Sequence, residues 1–357
     1  MSSDPRDTAT YMEAHSGERS TLTFTTLLLF CILAPCACIF LSLFLGRYPL
    51  SPLEIFRALW SGVPGGVDPS VTATHSTIVW DVRLPRAILG GMAGAALAVS
   101  GTALQGLFRN PLVSSGMLGV SAGAGFGAAL AIVLFKSTIM IYLLSFVFGL
   151  AAVFLSYSIG RIYNTAPAIM LVLGGVIVSS IFSALLSLVK YLANPYDELP
   201  SIVFWLMGSL ASASYRDISI SALPILVGMA GLFAMRWRIN VLSMGEREAA
   251  SMGVNVNLNR IVVVLFTTLA TAGAVSVCGI IGWIGLVVPH MGRIIAGSDN
   301  RLLVPVSVSL GACFLILIDN AGRMLTGGEI PLSILTAIIG GPFFVYLLKK
   351  YRGGGWQ

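Results

Sequence analysis

The nucleophilic and metal-binding residue types of this 357-residue chain form no pattern typical of catalysis. The three histidines, His15, His75 and His290, show no HExxH or similar ligand spacing. There is no GxSxG turn and no recognisable nucleophile–base pair. The five cysteines fall in apolar runs without a CxxC pair, which predicts small buried hydrophobic residues: Cys31, Cys36, Cys38, Cys278 and Cys313. The sequence therefore favours neither an intramembrane enzyme nor a metal centre, and it predicts no cofactor.

The chain also lacks the groups with which a transporter couples itself to an energy source. Ion-coupled carriers usually keep an ionisable side chain at mid-membrane, and we find none. Asp319 lies at the end of an apolar run beside Asn320 and Arg323, where a structural ion pair is the expected role. No GxxxxGK[ST] loop occurs, so an ATPase would have to be another subunit. Two classes stay open: a transport subunit driven by a separate ATPase, or an ion-coupled secondary transporter or channel.

One polar island, residues 236–260, interrupts the apolar runs. Ser243 stands three residues before Glu246, the capping-box spacing, which predicts a short helix over about residues 244–252 that Gly253 ends. The segment is too charged to enter lipid. A solvated loop is the plainer interpretation. Ala249 and Ala250 would let a partner's backbone approach, and they favour a docking site for another protein.

The rest of the chain is strongly apolar. Hydrophobic residues make up 56% and charged residues 10%, and the mean hydropathy is +0.90. The apolar runs are long enough to cross a bilayer as helices of about 20 residues, unlike the short alternating strands of a membrane barrel. These features predict an all-α polytopic membrane protein. The net charge of +6 then reflects the membrane, with lipid as a partner, and not nucleic acid.

The apolar runs predict about ten transmembrane helices. Their approximate ranges are 22–45, 85–107, 117–135, 139–159, 167–191, 218–235, 261–281, 284–296, 302–319 and 331–348. Gly90, Gly94 and Ala98 recur at four-residue spacing, which predicts closely packed helices. More of the 21 basic residues fall on the side of the N-terminus, which predicts cytoplasmic termini. Arg83 and Arg86 lie on the opposite side and indicate a partner there.

Several long motifs follow one another in a fixed order. They are RLPR at 83–86, SGTALQGLFRNPL at 100–112, LGVSAGAG at 118–125, FWLMGSL at 204–210, MGEREAASMGV at 244–254, GIIGWIGLVVPHMGRIIAG at 279–297, DNAGR at 319–323 and GGEIPLSILTAIIGGPFF at 327–344. With these motifs the chain resembles the permease subunits of binding-protein-dependent ABC importers for iron–siderophore complexes, heme and vitamin B12, the FecCD-type family. It departs from the family at Trp283, where phenylalanine is more usual, and at the Ser114–Ser115 pair.

The resemblance implies a homodimeric type II ABC importer permease in the inner membrane of a prokaryote. Residues 1–20 and 351–357 would be cytoplasmic tails, and residues 21–350 the transmembrane permease domain. Two ATPase subunits would dock on a coupling helix at about 243–253, through Glu246, Arg247, Ala249, Ala250, Met252 and Gly253. A periplasmic or lipoprotein substrate-binding protein would dock outside, on Arg83, Arg86 and Arg323.

The resemblance also implies a gated path for a metal chelate. Asn110 and Leu112 would form a cytoplasmic gate, and Pro167 would lie at the other gate. The expected cargo is a ferric siderophore first, with heme or cobalamin next, while a minority of relatives carry oxyanions. Plainer interpretations remain for single residues. Arg83 and Arg86 could be interfacial anchors, Asn110 with the proline that follows could be only a turn, and His290 is expected to hydrogen-bond backbone.

Overall fold

The computed structural model describes residues 27, 29–62, 72–161 and 168–350. The predicted tails at 1–20 and 351–357 and the predicted gate residue Pro167 lie outside these ranges. Every regular element in the described residues is helical, so the all-α prediction is confirmed.

The helices are numbered here in chain order. They are α1 Leu29–Ser42, α2 Pro52–Ser61, α3 Ala73–Thr77, α4 Leu84–Phe108, α5 Val120–Leu134, α6 Thr138–Gly160, α7 Ala168–Leu192, α8 Glu198–Leu206, α9 Tyr215–Met244, α10 Glu246–Ser251, α11 Val256–Cys278, α12 Ile284–Ala296, α13 Asn300–Met324 and α14 Leu332–Lys350. A π-helical segment, Ile78–Arg83, runs directly into α4, and a 3₁₀ turn, Ser115–Leu118, precedes α5.

Six helical stretches are long and apolar enough to cross a membrane. They are Ala73–Phe108, Thr138–Gly160, Ile169–Leu192, Tyr215–Met244, Val256–Cys278 and Asn300–Met324. Four shorter apolar helices, α1, α5, α12 and α14, fall where the other four spans are predicted. The polytopic membrane fold is therefore confirmed, and the count of ten spans stays a prediction.

Helix α4 is the centre of the molecule. In its apolar window 89% of the residues are buried, and it packs against α13, α11, α9 and α12. The packing is backbone to backbone, because a Cβ atom at Gly94 would overlap the Gly311 carbonyl and one at Gly101 would overlap Gly285. The prediction that small residues pack helices closely is confirmed at Gly94 and Ala98, both of which meet Gly311.

Helix α7 is the opposite case. Only 28% of the apolar window is buried, and large apolar side chains stand exposed along it, among them Leu173, Val176, Ile177 and Leu188. In a soluble protein such a face would be covered. Here it is available to lipid or to another subunit.

Two sequence predictions are wrong in detail. The third span begins at Val120, three residues later than expected, because Gly119 adopts φ 89° and separates the 3₁₀ turn from α5. The cysteines are not uniformly buried, since Cys278 is buried while Cys36 is exposed. A membrane protein can turn an apolar cysteine outward, because its lipid-facing surface is as apolar as its core.

Candidate functional site

Two polar clusters lie at opposite ends of α4. Arg86 stands in the first turn of the helix and Arg109 directly follows the last residue, Phe108. At 1.5 Å per residue, the helix between them is roughly 34 Å long, about the thickness of a bilayer core. We call the first group, Arg83, Arg86, Asp319, Arg323 and Glu329, the arginine cluster. The second group, Arg109, Glu246, Arg247, Glu248 and Arg260, is the α10 cluster.

Arg86 is the hub of the arginine cluster. Its Nη2 lies 2.8 Å from Asp319 Oδ1 and its Nη1 lies 2.9 Å from Glu329 Oε1. The side chains of Arg86 and Asp319 are only 7% and 4% exposed. Nε also donates to Asp319 Oδ2, at 2.8 Å. The planar guanidinium therefore hydrogen-bonds two carboxylates at once, a geometry that lysine could not reproduce.

Arg83 is used differently. It ends the π-helical segment and donates to two backbone carbonyls, Leu43 O and Tyr48 O, each at 2.6 Å. A Cβ atom on Gly46 would lie 2.7 Å from Arg83 Nη2, so the loop after α1 wraps tightly around this guanidinium. Arg83 therefore fixes the path of that loop.

Arg323 closes the other side of the cluster. Its Nη2 donates to Ser42 Oγ at 2.8 Å and to Asn320 Oδ1, and its Nε lies 3.9 Å from Asp319 Oδ2. Ser42 Oγ donates in turn to Asn320, at 2.9 Å. These bonds join the end of α1 to the end of α13.

The sequence predicts that Arg83, Arg86 and Arg323 present positive charge at the outer surface, and this is wrong for the single chain. All three side chains are buried and bonded to internal acceptors. The structural ion pair expected of Asp319 is confirmed, although its close partner is Arg86 and not Arg323. The acceptors of Arg83 and Arg86 lie far away in sequence, so no local pattern could have shown them.

The exposed cation beside this cluster is Arg47, which the sequence did not single out. Its Nε donates to the Arg323 carbonyl at 3.0 Å. Glu329 is the partly exposed anion. Burial raises the pKa of Glu329, but the hydrogen bonds and charge of Arg86, with the charges of Arg47 and Arg323, outweigh it and hold the pKa below its ordinary value.

The α10 cluster surrounds the short helix predicted in the polar island. The helix exists, and Gly253 follows it at φ 76° as expected. The predicted capping box is wrong. Helix α9 continues to Met244, and Ser243 Oγ donates to the Asn240 carbonyl at 2.7 Å within that helix. Gly245, at φ 139°, makes the turn into α10, so the helix begins two residues later than predicted.

Glu246 holds α10 against α11. Its Oε1 accepts a 2.5 Å hydrogen bond from Arg260 Nη2, and the Arg260 side chain is 4% exposed while that of Glu246 is 63% exposed. Ala249 is fully buried in the main core with Leu242. The expectation that Ala249 lies on the docking surface is therefore wrong. Arg247, Ala250 and Met252 are exposed and form the free side of α10.

A cleft of about 600 Å³ opens between the end of α4 and α10. Its lining includes the apolar residues Phe108, Leu242 and Val256 and all five residues of the α10 cluster. The sequence does not predict this cleft, because its walls come from four helices. In the sequence, only the arginine before the Asn-Pro pair could have drawn attention to the cleft.

The turn after α4 contains the two predicted gate residues. Asn110 Oδ1 accepts a hydrogen bond from the Leu112 amide at 2.9 Å and folds the chain around Pro111. Leu112 is 47% exposed. His290 donates to the Pro111 carbonyl and packs edgewise on Phe344, which confirms the expectation that it bonds backbone. The turn is thus attached to α12.

A second contact joins α4 to α12, and the sequence missed it. Arg293 Nη2 donates to Gln105 Oε1 at 2.6 Å, and Gln105 Nε2 donates to the Gly285 carbonyl at 3.1 Å. In the part of the chain that the structure describes, no three His, Cys, Asp or Glu side chains group as metal ligands would.

Comparisons with known proteins agree with this architecture. The sequence model of the FecCD transport family matches residues 31–350. The chain is 39% identical over 316 residues to the molybdate import system permease protein MolB of Haemophilus influenzae, covering 88% of this chain and 93% of that protein. It is 40% identical over 278 residues to a probable iron chelatin transport system permease protein of Helicobacter pylori, covering 78% and 84%.

A solved structure is also similar. It is described as a metal-chelate type ABC transporter in an inward-facing conformation, and it aligns with a TM-score of 0.81 at 36% identity over 91% of this chain and 99% of the other.

Proposed function

The chain belongs to the FecCD transport family, and from that membership we propose that it is the permease subunit of an ABC importer that forms the translocation path for a metal chelate. The observation that carries the proposal is the extent of the match. Residues 31–350 include nearly every described helix, so both polar clusters lie within the part of the chain that the family model matches. The protein would work as a homodimer in a prokaryotic inner membrane, with both termini cytoplasmic.

Two ATPase subunits would dock on α10. The free side of this helix carries Arg247, Ala250 and Met252, and the glycines at 245 and 253 let the chain turn sharply at both ends. Ala249 and the Glu246–Arg260 pair fix the helix to the core. A helix that packs on its own chain on one side and is exposed on the other would pass a movement of the docked ATPase on to the transmembrane helices.

A substrate-binding protein would dock on the surface above the arginine cluster. Since Arg83, Arg86 and Arg323 are bonded internally, we assign them the role of holding the loops that carry Arg47 and Glu329. One exposed cation and one partly exposed anion lie side by side there and give a mixed surface for a charged partner.

Asn110 and Leu112 would form the cytoplasmic gate. The turn that holds them is short, and Leu112 offers an exposed apolar side chain. Pro167 stays a prediction for the second gate.

For the cargo we propose a ferric siderophore first and heme or cobalamin next. The similarity to the permease named for iron chelatin supports a ferric chelate. A molybdate-type oxyanion is the second candidate, because the permease named for molybdate is 39% identical over most of both chains.

Reconstituted vesicles test the function. The purified chain alone should hydrolyse no ATP and move no solute. Together with its ATPase and binding protein it should import a radiolabelled ferric chelate only when ATP is hydrolysed, and a hydrolysis-deficient ATPase is the control. Molybdate and heme uptake in the same vesicles would rank the cargoes. Solute movement by the chain alone would instead establish the channel or ion-coupled carrier.

A further inference from the structure

Three residues other than glycine adopt a left-handed backbone in the described chain: Arg109 at φ 51°, Lys136 at φ 49° and Trp283 at φ 67°. This conformation is less favourable for a residue with a Cβ atom than for glycine. The Lys136 side chain forms ion pairs: its Nζ lies 3.4 Å from Asp197 Oδ2 and 3.3 Å from Glu198 Oε1. Trp283 packs on Gly340.

Arg109 differs from these two. Its side chain is exposed, and no hydrogen bond or ion pair engages it among the described residues. Its left-handed backbone is the C-cap of α4, whose N–H donates to the Gln105 and Gly106 carbonyls. Its guanidinium lies beside Gly245, and it carries a charge that no ion pair within the described residues neutralises.

The surroundings define that contact. Arg109, Arg247 and Arg260 line the cleft together with Glu246 and Glu248. Arg260 pairs with Glu246 at 2.5 Å, and the three arginines of the lining outnumber its two glutamates by one. The cleft therefore carries a net positive charge beside apolar lining residues. Its volume of about 600 Å³ has room for several side chains.

We infer that the cleft between α4 and α10 receives an acidic side chain of the ATPase subunit, which pairs with Arg109 and is flanked by Arg247. The inference rests on the proposed function, since it takes the partner from the docking of an ATPase on α10. A protein segment fits better than a free anion, because the apolar lining residues Phe108, Leu242 and Val256 would contact the carbon atoms of a side chain.

Binding of the ATPase side chain in this cleft has a consequence for transport. Arg109 is followed directly by Asn110, whose side chain folds the turn that ends at Leu112. The ATPase would therefore contact the first residue of the gate turn as well as α10. A partner that shifts on binding ATP would act on the gate without an intervening helix.

The test uses charge reversal with a matched control. Arg109→Glu is compared with Arg301→Glu, an exposed arginine at the start of α13 whose side chain makes no ion pair in the described structure. The partner is the ATPase subunit with which the wild-type chain reconstitutes ATP-driven uptake. Its affinity for each variant is measured in lipid nanodiscs at low and high salt.

We expect Arg109→Glu to weaken ATPase binding at low salt about tenfold or more, since like charges would meet across the contact, and Arg301→Glu to stay within about threefold. Arg109→Lys should stay close to wild type because it keeps the charge. Arg109→Gly should lose affinity even though it relieves the backbone strain. One Asp or Glu of the ATPase, changed to Arg, should restore binding to Arg109→Glu.

Other results would overturn the inference. If Arg109→Glu binds like Arg301→Glu while Ala250→Trp abolishes binding, docking on α10 stands and the cleft is not a seat. If no acidic residue of the ATPase rescues Arg109→Glu, the pairing is wrong. If no ATPase supports uptake by the wild-type chain, the proposed function fails, and the inference fails with it.

Discussion

The arginine cluster and the α10 cluster are built from the same residue types but in opposite ways. In the arginine cluster each guanidinium is buried and bonded to carboxylates, carbonyls or hydroxyls of its own chain. In the α10 cluster Arg109 and Arg247 are exposed at an open cleft. The comparison teaches that a charge can be an internal bond or a contact for a partner, and that burial and pairing distinguish the two.

The sharpest way to break this comparison is to remove the hub of the buried cluster. Arg86→Met leaves the buried Asp319 carboxylate without its close partner, and breaking a buried pair costs roughly 3–5 kcal/mol. We expect a correspondingly lower unfolding midpoint in detergent. Lys136→Met is the control. Its partners Asp197 and Glu198 are 70% and 14% accessible, but the lysine side chain itself is 62% accessible, and pairs made by an exposed lysine contribute little. Equal losses in the two variants would contradict the internal role of Arg86.

Neighbouring alanines on α10 give the next largest effect. Ala249→Trp forces a large ring into the packed core and should destabilise the protein by about 1–3 kcal/mol or more. Ala250→Trp adds the same ring to the exposed side. It should leave the unfolding midpoint unchanged while abolishing ATP-driven uptake with the ATPase present. Normal uptake by Ala250→Trp would place the docking surface elsewhere.

A milder change separates anchoring from docking. Glu246→Ala removes the partner of Arg260, and because Glu246 is largely exposed we expect a loss of about 1 kcal/mol or less. ATPase binding should weaken severalfold, since α10 loses its tie to α11. Glu246→Gln, which can still accept a hydrogen bond, should behave closer to wild type in the same binding assay. A large loss of stability in Glu246→Ala would mean that the pair belongs to the core.

The smallest expected effect is a pH dependence of the arginine cluster. The folded-state pKa of Glu329 is lowered, chiefly by Arg86 against the opposing effect of burial. A lowered pKa contributes stability that is present above the unfolded-state pKa, about 4.3, and is lost as the pH falls through the folded-state value. Unfolding midpoints between about pH 3 and 6 should therefore fall more in wild type than in Glu329→Gln. Identical slopes would exclude Glu329 as the titrating group.

Local patterns in the sequence predicted the elements better than the contacts. The short helix before Gly253 could be predicted because glycine ends helices by its own backbone freedom. The capping box failed because Ser243 has a competing acceptor, the Asn240 carbonyl one turn earlier in α9. The hydroxyl of a serine near a helix end can accept a bond from a backbone N–H as a cap or donate one to a carbonyl one turn earlier. The length of α9 decides which of these two bonds Ser243 makes.

The roles of the charged residues depend on distance in sequence. Arg86 meets Asp319 and Glu329 more than two hundred positions later, and an arginine motif looks the same whether its partner is internal or another protein. Arg109 escaped notice for the converse reason. Its motif was visible, but the cleft that it lines exists only when four helices are assembled.

Helix α4 connects the two clusters, and its packing gives it the properties of a strut. At Gly94 and Gly101 it lies directly against backbone atoms of Gly311 in α13 and Gly285 in α12, with Leu315 Cβ also close to Gly94, so little flexible side chain lies between the helices to absorb a displacement. We expect α4 and α13 to travel as one body when either end is pulled, and spin labels on the two helices to keep one separation throughout ATP turnover. A separation that changed with the bound nucleotide would show that α4 slides against α13, and that the two ends of the protein move independently.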